Sequence, residues 1–254
     1  IISHSHLDHI GTLPVAQREQ PSAPVYLTAP CAALGEALLH NSVNVMSSQR
    51  DELGITEYPL YHHREIDHLR DRWMIRPYEK TFSLDLLGET EATVTFYDAG
   101  HVLGSAGVLI EKNNRQIFYT GDVNFKGHSL IKGARFPQLN EPDLLIMETT
   151  RGGDERPTDY TRADQEKLLA KAIRNALEAG GSALFPFFAI GKTQEVLTMI
   201  DNFKSEGLIP DQTPVFMGGL STKMTMIYDS FSDSTRRHRP DFEILRDMKV
   251  HTGN

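Results

Sequence analysis

The 254-residue sequence predicts a mixed α/β chain in two parts. Three observations lead there. Before about residue 150, apolar residues come in short runs with period two, the signature of half-buried strands. After about residue 158, apolar residues at helical spacing alternate with short apolar runs, the pattern of α/β units. Between them, residues 152–158 carry glycine, proline and charge and few apolar residues, which reads as a boundary. The expected domains are residues 1–155 and 156–254.

Taken in order, Ile1-Ile2 reads as the end of a buried strand already under way, and the termini read as those of a fragment. Residues 10–20 suggest a short helix ended by the proline-rich stretch 21–24. Residues 25–28 form a strand, and 31–46 a helix with Ala33, Ala37, Leu38 and Val45 at helical spacing. Residues 49–78 are polar and helical in part, with His62, His63 and His68 as exposed helix residues. Strands follow at 93–97, 106–111 and 116–120, the last two joined by a turn whose two asparagines suit a hairpin. Residues 143–147 form a continuous apolar run of buried-strand type. In the second part, 162–179 is a helix stopped by Gly180-Gly181, 182–187 a strand, 193–204 a helix, 214–217 a strand and 221–231 a helix. Trp73, Phe187 and Phe188 read as core.

Composition narrows the function. With 39% hydrophobic and 24% charged residues the chain can bury a core, which excludes a disordered tail or a fibre. No apolar run is long enough for a membrane span, so no membrane partner is expected. A net charge of −8 means that any nucleic-acid binding must use local cations rather than bulk charge. A single cysteine, Cys31, has no partner for an internal disulfide, which fits a reducing, cytoplasmic setting.

Eleven histidines is the unusual count, and their placement directs the reading. Ser3-His4-Ser5-His6-Leu7-Asp8-His9 offers three imidazoles and a carboxylate within six positions. On extended backbone His4 and His6 point the same way and can meet one cation. Asp8 and His9, past a bend, can face a second. Imidazole and carboxylate without thiolate suit zinc, with manganese as a substitute. His101 in Asp98-Ala-Gly-His101 and Asp122 in Thr120-Gly-Asp122 each follow a strand, where loops gather into sites.

The order H-x-H-x-D-H, a single histidine and T-G-D resembles the metallo-β-lactamase superfamily over nearly the whole chain. The resemblance implies an αββα sandwich whose two zinc ions are held by His4, His6 and His101 on one side and Asp8 and His9 on the other. Asp122 bridges them. The second half resembles the β-CASP branch, an α/β insertion found in RNA-processing nucleases. L-L-I-M-E-T-T would end its strand at the acidic Glu148, and L-F-P-F-F-A-I-G-K-T-Q-E-V and Gly218-Gly-Leu-Ser221 match stretches of that branch. Arg151 and Lys192 stand where the branch usually has tyrosine and arginine. Two further histidines of the pattern are expected after Asn254 and an acidic residue before Ile1.

The implied activity is zinc-dependent hydrolysis of single-stranded RNA, or DNA, leaving a 5′-phosphate and a 3′-hydroxyl. Asp8, His9, Asp122 and Glu148 carry the chemistry, with Glu148 orienting a histidine that protonates the leaving oxygen. Lys192, Arg151, Lys223 and Ser221 contact the strand in a groove between the domains, and Arg236, Arg237 and Arg239 form a peripheral basic patch. A small-ester or thioester hydrolase and a non-cleaving RNA-binding subunit are the alternatives; a homodimer is left open.

Overall fold

The structure, a computed structural model, describes residues 1–84, 91–155 and 157–253. They fall into two units, Ile1–Gly127 with Ile131–Glu148, and His128–Leu130 with Thr149–Asn254. The boundary expected between 155 and 156 adjoins Arg156, which lies outside the described residues.

In the first unit the chain enters beside strand β1 (Val25–Leu27), where the Ile2 N–H donates to the Tyr26 carbonyl at 3.0 Å. That is one bonded contact, and Ile1 is exposed, so the expected strand end is absent as a ladder. The helix expected over 10–20 divides into α1 (Leu7–Ile10) and α2 (Leu13–Glu19). Pro14 has no N–H to give the Ile10 carbonyl, so a new helix starts with proline in its first turn. Helix α3 (Ala29–Leu53) is longer at both ends than its apolar spacing suggests, because its ends are capped. The Thr28 hydroxyl accepts the Cys31 N–H at 3.3 Å, and Gly54 closes the helix at φ +70°. Its inner face buries Leu39, Val43 and Met46 against Ile10, Tyr61, and Ile66 and Leu69 of α4 (His63–Leu69). Strand β2 (Trp73–Ile75) pairs parallel with β1. Three residues between charged neighbours are too few to show a period, and this strand is not legible in the sequence.

The main sheet holds β3 (Phe82–Ser83), β4 (Thr93–Asp98), β5 (Ala106–Lys112), β6 (Arg115–Tyr119) and β7 (Leu144–Ile146) in that order. The first four pair antiparallel, and β7 joins β6 in parallel. Asn113 and Asn114 turn the β5–β6 hairpin at φ +52° and +61°, the left-handed pair that asparagine tolerates best among residues with a side chain. Val94, Phe96, Ala106 and Val108 bury the face that meets Tyr26. One expectation fails here: β7 is half exposed throughout instead of buried. It is the edge of the sheet, with β6 on one side only. Of the implied sandwich, the described residues show this mixed unit with one five-stranded sheet and the separate β1–β2 pair.

The second unit contains α5 (Arg162–Glu178), α6 (Lys192–Ser205), β8 (Phe216–Met217), α7 (Leu220–Ser230), α8 (Ile244–Met248) and β9 (His251–Thr252). Strands β8 and β9 pair parallel. The strand expected over 182–187 lies in no ladder, and Leu184 is 93% exposed. Its backbone is extended enough to stack Phe185 on Phe187, two residues on, with centroids 5.7 Å apart. An apolar run becomes a strand only where neighbouring backbone accepts its hydrogen bonds, and the described residues supply none. Phe187 and Phe188 are 41% and 88% exposed, against their reading as core, while Trp73 packs on the buried clusters of the first unit. No helix among the described residues is long and apolar enough to cross a membrane.

The loop 99–105 depends on a close approach to α3. Gly104 sits at φ +81°, its carbonyl accepts the Thr28 hydroxyl at 2.7 Å, and a Cβ there would come 2.5 Å from the Cys31 nitrogen. Gly104→Ala should therefore cost about 1–3 kcal/mol, read by urea unfolding. An unchanged midpoint would show that this contact does not hold the loop.

Candidate metal centre

Three backbone segments meet at one end of the first unit's sheet. Ser3 on the entering segment accepts the Ala106 N–H at 2.7 Å, where β5 begins. Gly121, at φ +57°, lies so near that a Cβ would stand 2.9 Å from the Ala106 carbonyl oxygen and 3.2 Å from Ser3 Cβ. The Asn124 N–H donates to the Ala99 carbonyl at 2.9 Å, joining the loop after β6 to the loop after β4. That second loop is shaped from within: Asp98 accepts the Gly100 N–H, and the Ser105 hydroxyl accepts those of His101 and Val102. Gly100 is at φ +64° with the Ala134 nitrogen 2.5 Å from where a Cβ would sit, so only glycine fits.

These loops bring five ligand-type side chains together. His4 Nε2 lies 3.1 Å from His6 Nδ1, and His6 Nδ1 lies 3.2 Å from His101 Nε2. Three imidazole nitrogens at that spacing match the ligand edges of a tetrahedral cation, which for bonds of about 2.0–2.1 Å are ~3.3–3.4 Å. Asp122 reaches both ways. Its Oδ2 is 3.5 Å from His101 Nε2 and 3.8 Å from His4 Nε2, while Oδ1 is 3.5 Å from His9 Nε2. His4, His6 and His101 form one potential ligand group, and His4, His9 and Asp122 a second. Asp8 is at the rim, mostly exposed, with Oδ2 3.5 Å from His9 Nε2. His6 caps α1, so the bend expected before Asp8 and His9 is one helical turn.

The electrostatics suit neutral ligands. His4 is fully buried, and that burial, with His9, His101 and His6 around it, pushes its pKa down to about 2. His6 is also lowered, mainly by burial, against the pull of Asp8 and Asp122. Burial raises the Asp122 carboxyl while His9 opposes the rise. The donor set fits zinc: unprotonated imidazoles and a carboxylate aimed at common points, with no thiolate.

Glu148, two residues past the end of β7 rather than at its last position as expected, accepts the Val123 N–H through Oε1 at 2.9 Å and so holds the residue next to Asp122. Arg151, Lys192 and Lys223 are exposed residues of the second unit, and Ser221 is half-buried there with its carbonyl accepting the Thr225 hydroxyl. Lys192 opens α6 after Gly191 at φ +82°, and α7 opens after Gly219 at φ +59°. Gln194 Nε2 donates to Thr225 Oγ1 at 2.9 Å and ties these two helix starts together. Glu195, buried, accepts the Ser129 N–H at 2.6 and 2.8 Å and pairs with Arg162. Gln194 and Glu195 carry no role in the sequence reading; a charged residue on the apolar stripe of a helix was the available signal. The expected basic patch does not form. Arg237 is buried, donating to the Phe242 and Tyr228 carbonyls, and Arg239 pairs with Asp201 over the Phe242 ring. Cys31 is buried and its thiol pushed up to about 12, an inert packing group.

Residues 1–149 match the profile described as metallo-beta-lactamase superfamily domain. Across both units the chain is similar to a transcription termination factor, FttA, of Methanothermobacter thermautotrophicus, 30% identical over 100% of this chain and 37% of that protein. It is 32% identical to an RNase J-like protein of Methanocaldococcus jannaschii, over 91% of this chain and 49% of the other. It is also 32% identical to the endoribonuclease YSH1 of Eremothecium gossypii, over 91% of this chain and 30% of that protein. The chain thus spans from under a third to about half of these relatives' lengths.

Because His4 is held neutral, acid should unfold the metal-free protein. Below its ordinary value of about 6.5 the unfolded chain takes up a proton that the folded chain refuses until about pH 2. Stability is full above pH 6.5 and falls as pH drops below it. Urea unfolding at pH 7.5 and 5.0 should show this loss, and His4→Gln should flatten it. Equal slopes in the two proteins would place the acid-sensitive group elsewhere.

Proposed function

The chain belongs to the metallo-β-lactamase superfamily, and from that premise we propose that it is a β-CASP nuclease with a dinuclear zinc centre, cleaving single-stranded RNA. The observation that carries the nuclease reading is where the similarities stop. The superfamily profile ends at residue 149, beside the division between the units at Glu148 and Thr149. Relatives named as ribonucleases match through the second unit as well. What this chain has beyond the shared hydrolase domain is therefore what it shares with proteins that act on RNA. A small-ester hydrolase needs no such unit.

In this reading His4, His6 and His101 would hold one cation and His9 and Asp8 the other, with Asp122 Oδ2 facing the first group and Oδ1 facing His9. When bound, such a pair supplies Lewis acidity toward phosphoryl oxygens and makes water available as a nucleophile at neutral pH. Glu148 keeps Asp122 in place through the Val123 N–H. In the second unit, Lys192 and Lys223 lie at the starts of α6 and α7, where backbone N–H groups and cations together favour phosphate. Ser221 and Arg151 add polar and cationic contacts. With net charge −8, the affinity for a strand rests on these local groups and falls as salt rises.

His9→Ala should lower cleavage of a single-stranded RNA by at least about 100-fold. Lys192→Glu should lower it roughly tenfold while leaving hydrolysis of bis-nitrophenyl phosphate nearly unchanged, since the small ester needs only the metals. An equal fall in both activities for Lys192→Glu would remove it from the strand contacts. Cleavage of a thioester or lactam with no cut in RNA or DNA would assign the small-substrate activity, and binding of RNA without cleavage the non-cleaving one.

A further inference from the structure

Away from the centre just described, α3 and α4 bring a second set of metal-ligand side chains together. His40 Nδ1 lies 2.8 Å from His63 Nδ1, with ring planes 17° apart and centroids 5.1 Å apart. On its other side His40 Nε2 is 3.5 Å from Asp67 Oδ1. His63 and Asp67 are four residues apart on α4 and share a face. We propose that His40 and His63 form a second cation site, on the surface of the first unit, for a divalent transition metal such as zinc or copper.

The tautomers support this. The Asp67 carboxylate favours the proton of His40 on Nε2, which leaves the Nδ1 lone pair facing His63. A carboxylate behind an imidazole is the arrangement that orients metal-binding histidines. Without a cation, His63 must place its own proton on Nδ1 to face that lone pair. With one, the proton moves to Nε2, both Nδ1 atoms become ligands, and no net charge leaves the protein. The nitrogens need to part by only about half an ångström to share a tetrahedral cation.

The framework is rigid and the site open. Leu39, next to His40, and Ile66 and Leu69, flanking Asp67, are buried in the same cluster, so both helices are fixed beneath the site. Arg70 and Glu36 pair at 3.0 Å along the same helix contact. His40 is partly exposed and Asp67 largely so, which gives a cation an entry path and leaves water to complete its coordination. His62 is the N-cap residue of α4, its backbone N–H donating to Glu65 Oε2 at 2.8 Å. The positive end of this short helix opposes a cation modestly, and the Asp67 carboxylate offsets it.

The site is tested on protein whose principal centre is already filled with zinc. Calorimetric titration with zinc should show one further equivalent, and copper(II) added instead should give an electron paramagnetic spectrum split by two imidazole nitrogens. His40→Gln and His63→Gln should each abolish that equivalent, while Asp67→Asn weakens it about 10–100-fold. His68→Gln should leave it intact, and circular dichroism melts check that every variant folds. No further equivalent in the unmodified protein, or one that survives either histidine substitution, overturns the proposal.

Discussion

The constraint on which the first unit turns is the set of imidazole lone pairs that meet around His4. A fully buried histidine flanked by His6, His9 and His101 cannot take up a proton without placing charge in a dry site beside other rings. It stays neutral, and its Nε2 lies 3.1 Å from His6 Nδ1 and 3.8 Å from Asp122 Oδ2. Such a cluster is costly as packing and well suited to a cation. Everything that holds the loops together serves to keep these atoms facing one another.

That holding is mostly backbone work. Gly100, Gly104 and Gly121 adopt left-handed conformations where a side chain would collide with a neighbouring loop or with α3. The Ser3–Ala106 and Asn124–Ala99 hydrogen bonds stitch the loops to each other. Glu148 adds a side-chain tether, from just past β7 to the residue following Asp122. Ligand-type side chains borne on short loops are thereby placed with the rigidity of the sheet beneath them.

The second unit is organised by polar anchors within its helices. Gln194 joins α6 to α7, Glu195 ties α6 to Ser129 and Arg162, and Arg237 spends its charge on two carbonyls. Lys192 and Lys223, both exposed, stand at helix starts rather than in the arginine run. Within that run Arg237 thus became structure, and Arg239 is held by Asp201.

Much of the candidate ligand cluster was legible in the sequence, because His4, His6, Asp8 and His9 sit within six positions and His101 and Asp122 each follow a strand. The hairpin was legible too, since alternating runs around Asn113-Asn114 allow one register. Exposure and pairing were not. The apolar runs at 143–147 and 182–187 read as buried strands, yet one is a sheet edge and the other pairs with nothing described. Nor could spacing bring His40 to His63, twenty-three residues apart. The sequence by itself determined which chemistry the chain carries and where its turns fall, because ligand type and turn preference are local properties. Only the tertiary structure decided which lone pairs face each other and which apolar faces stay open, because burial and contact depend on what distant segments place alongside.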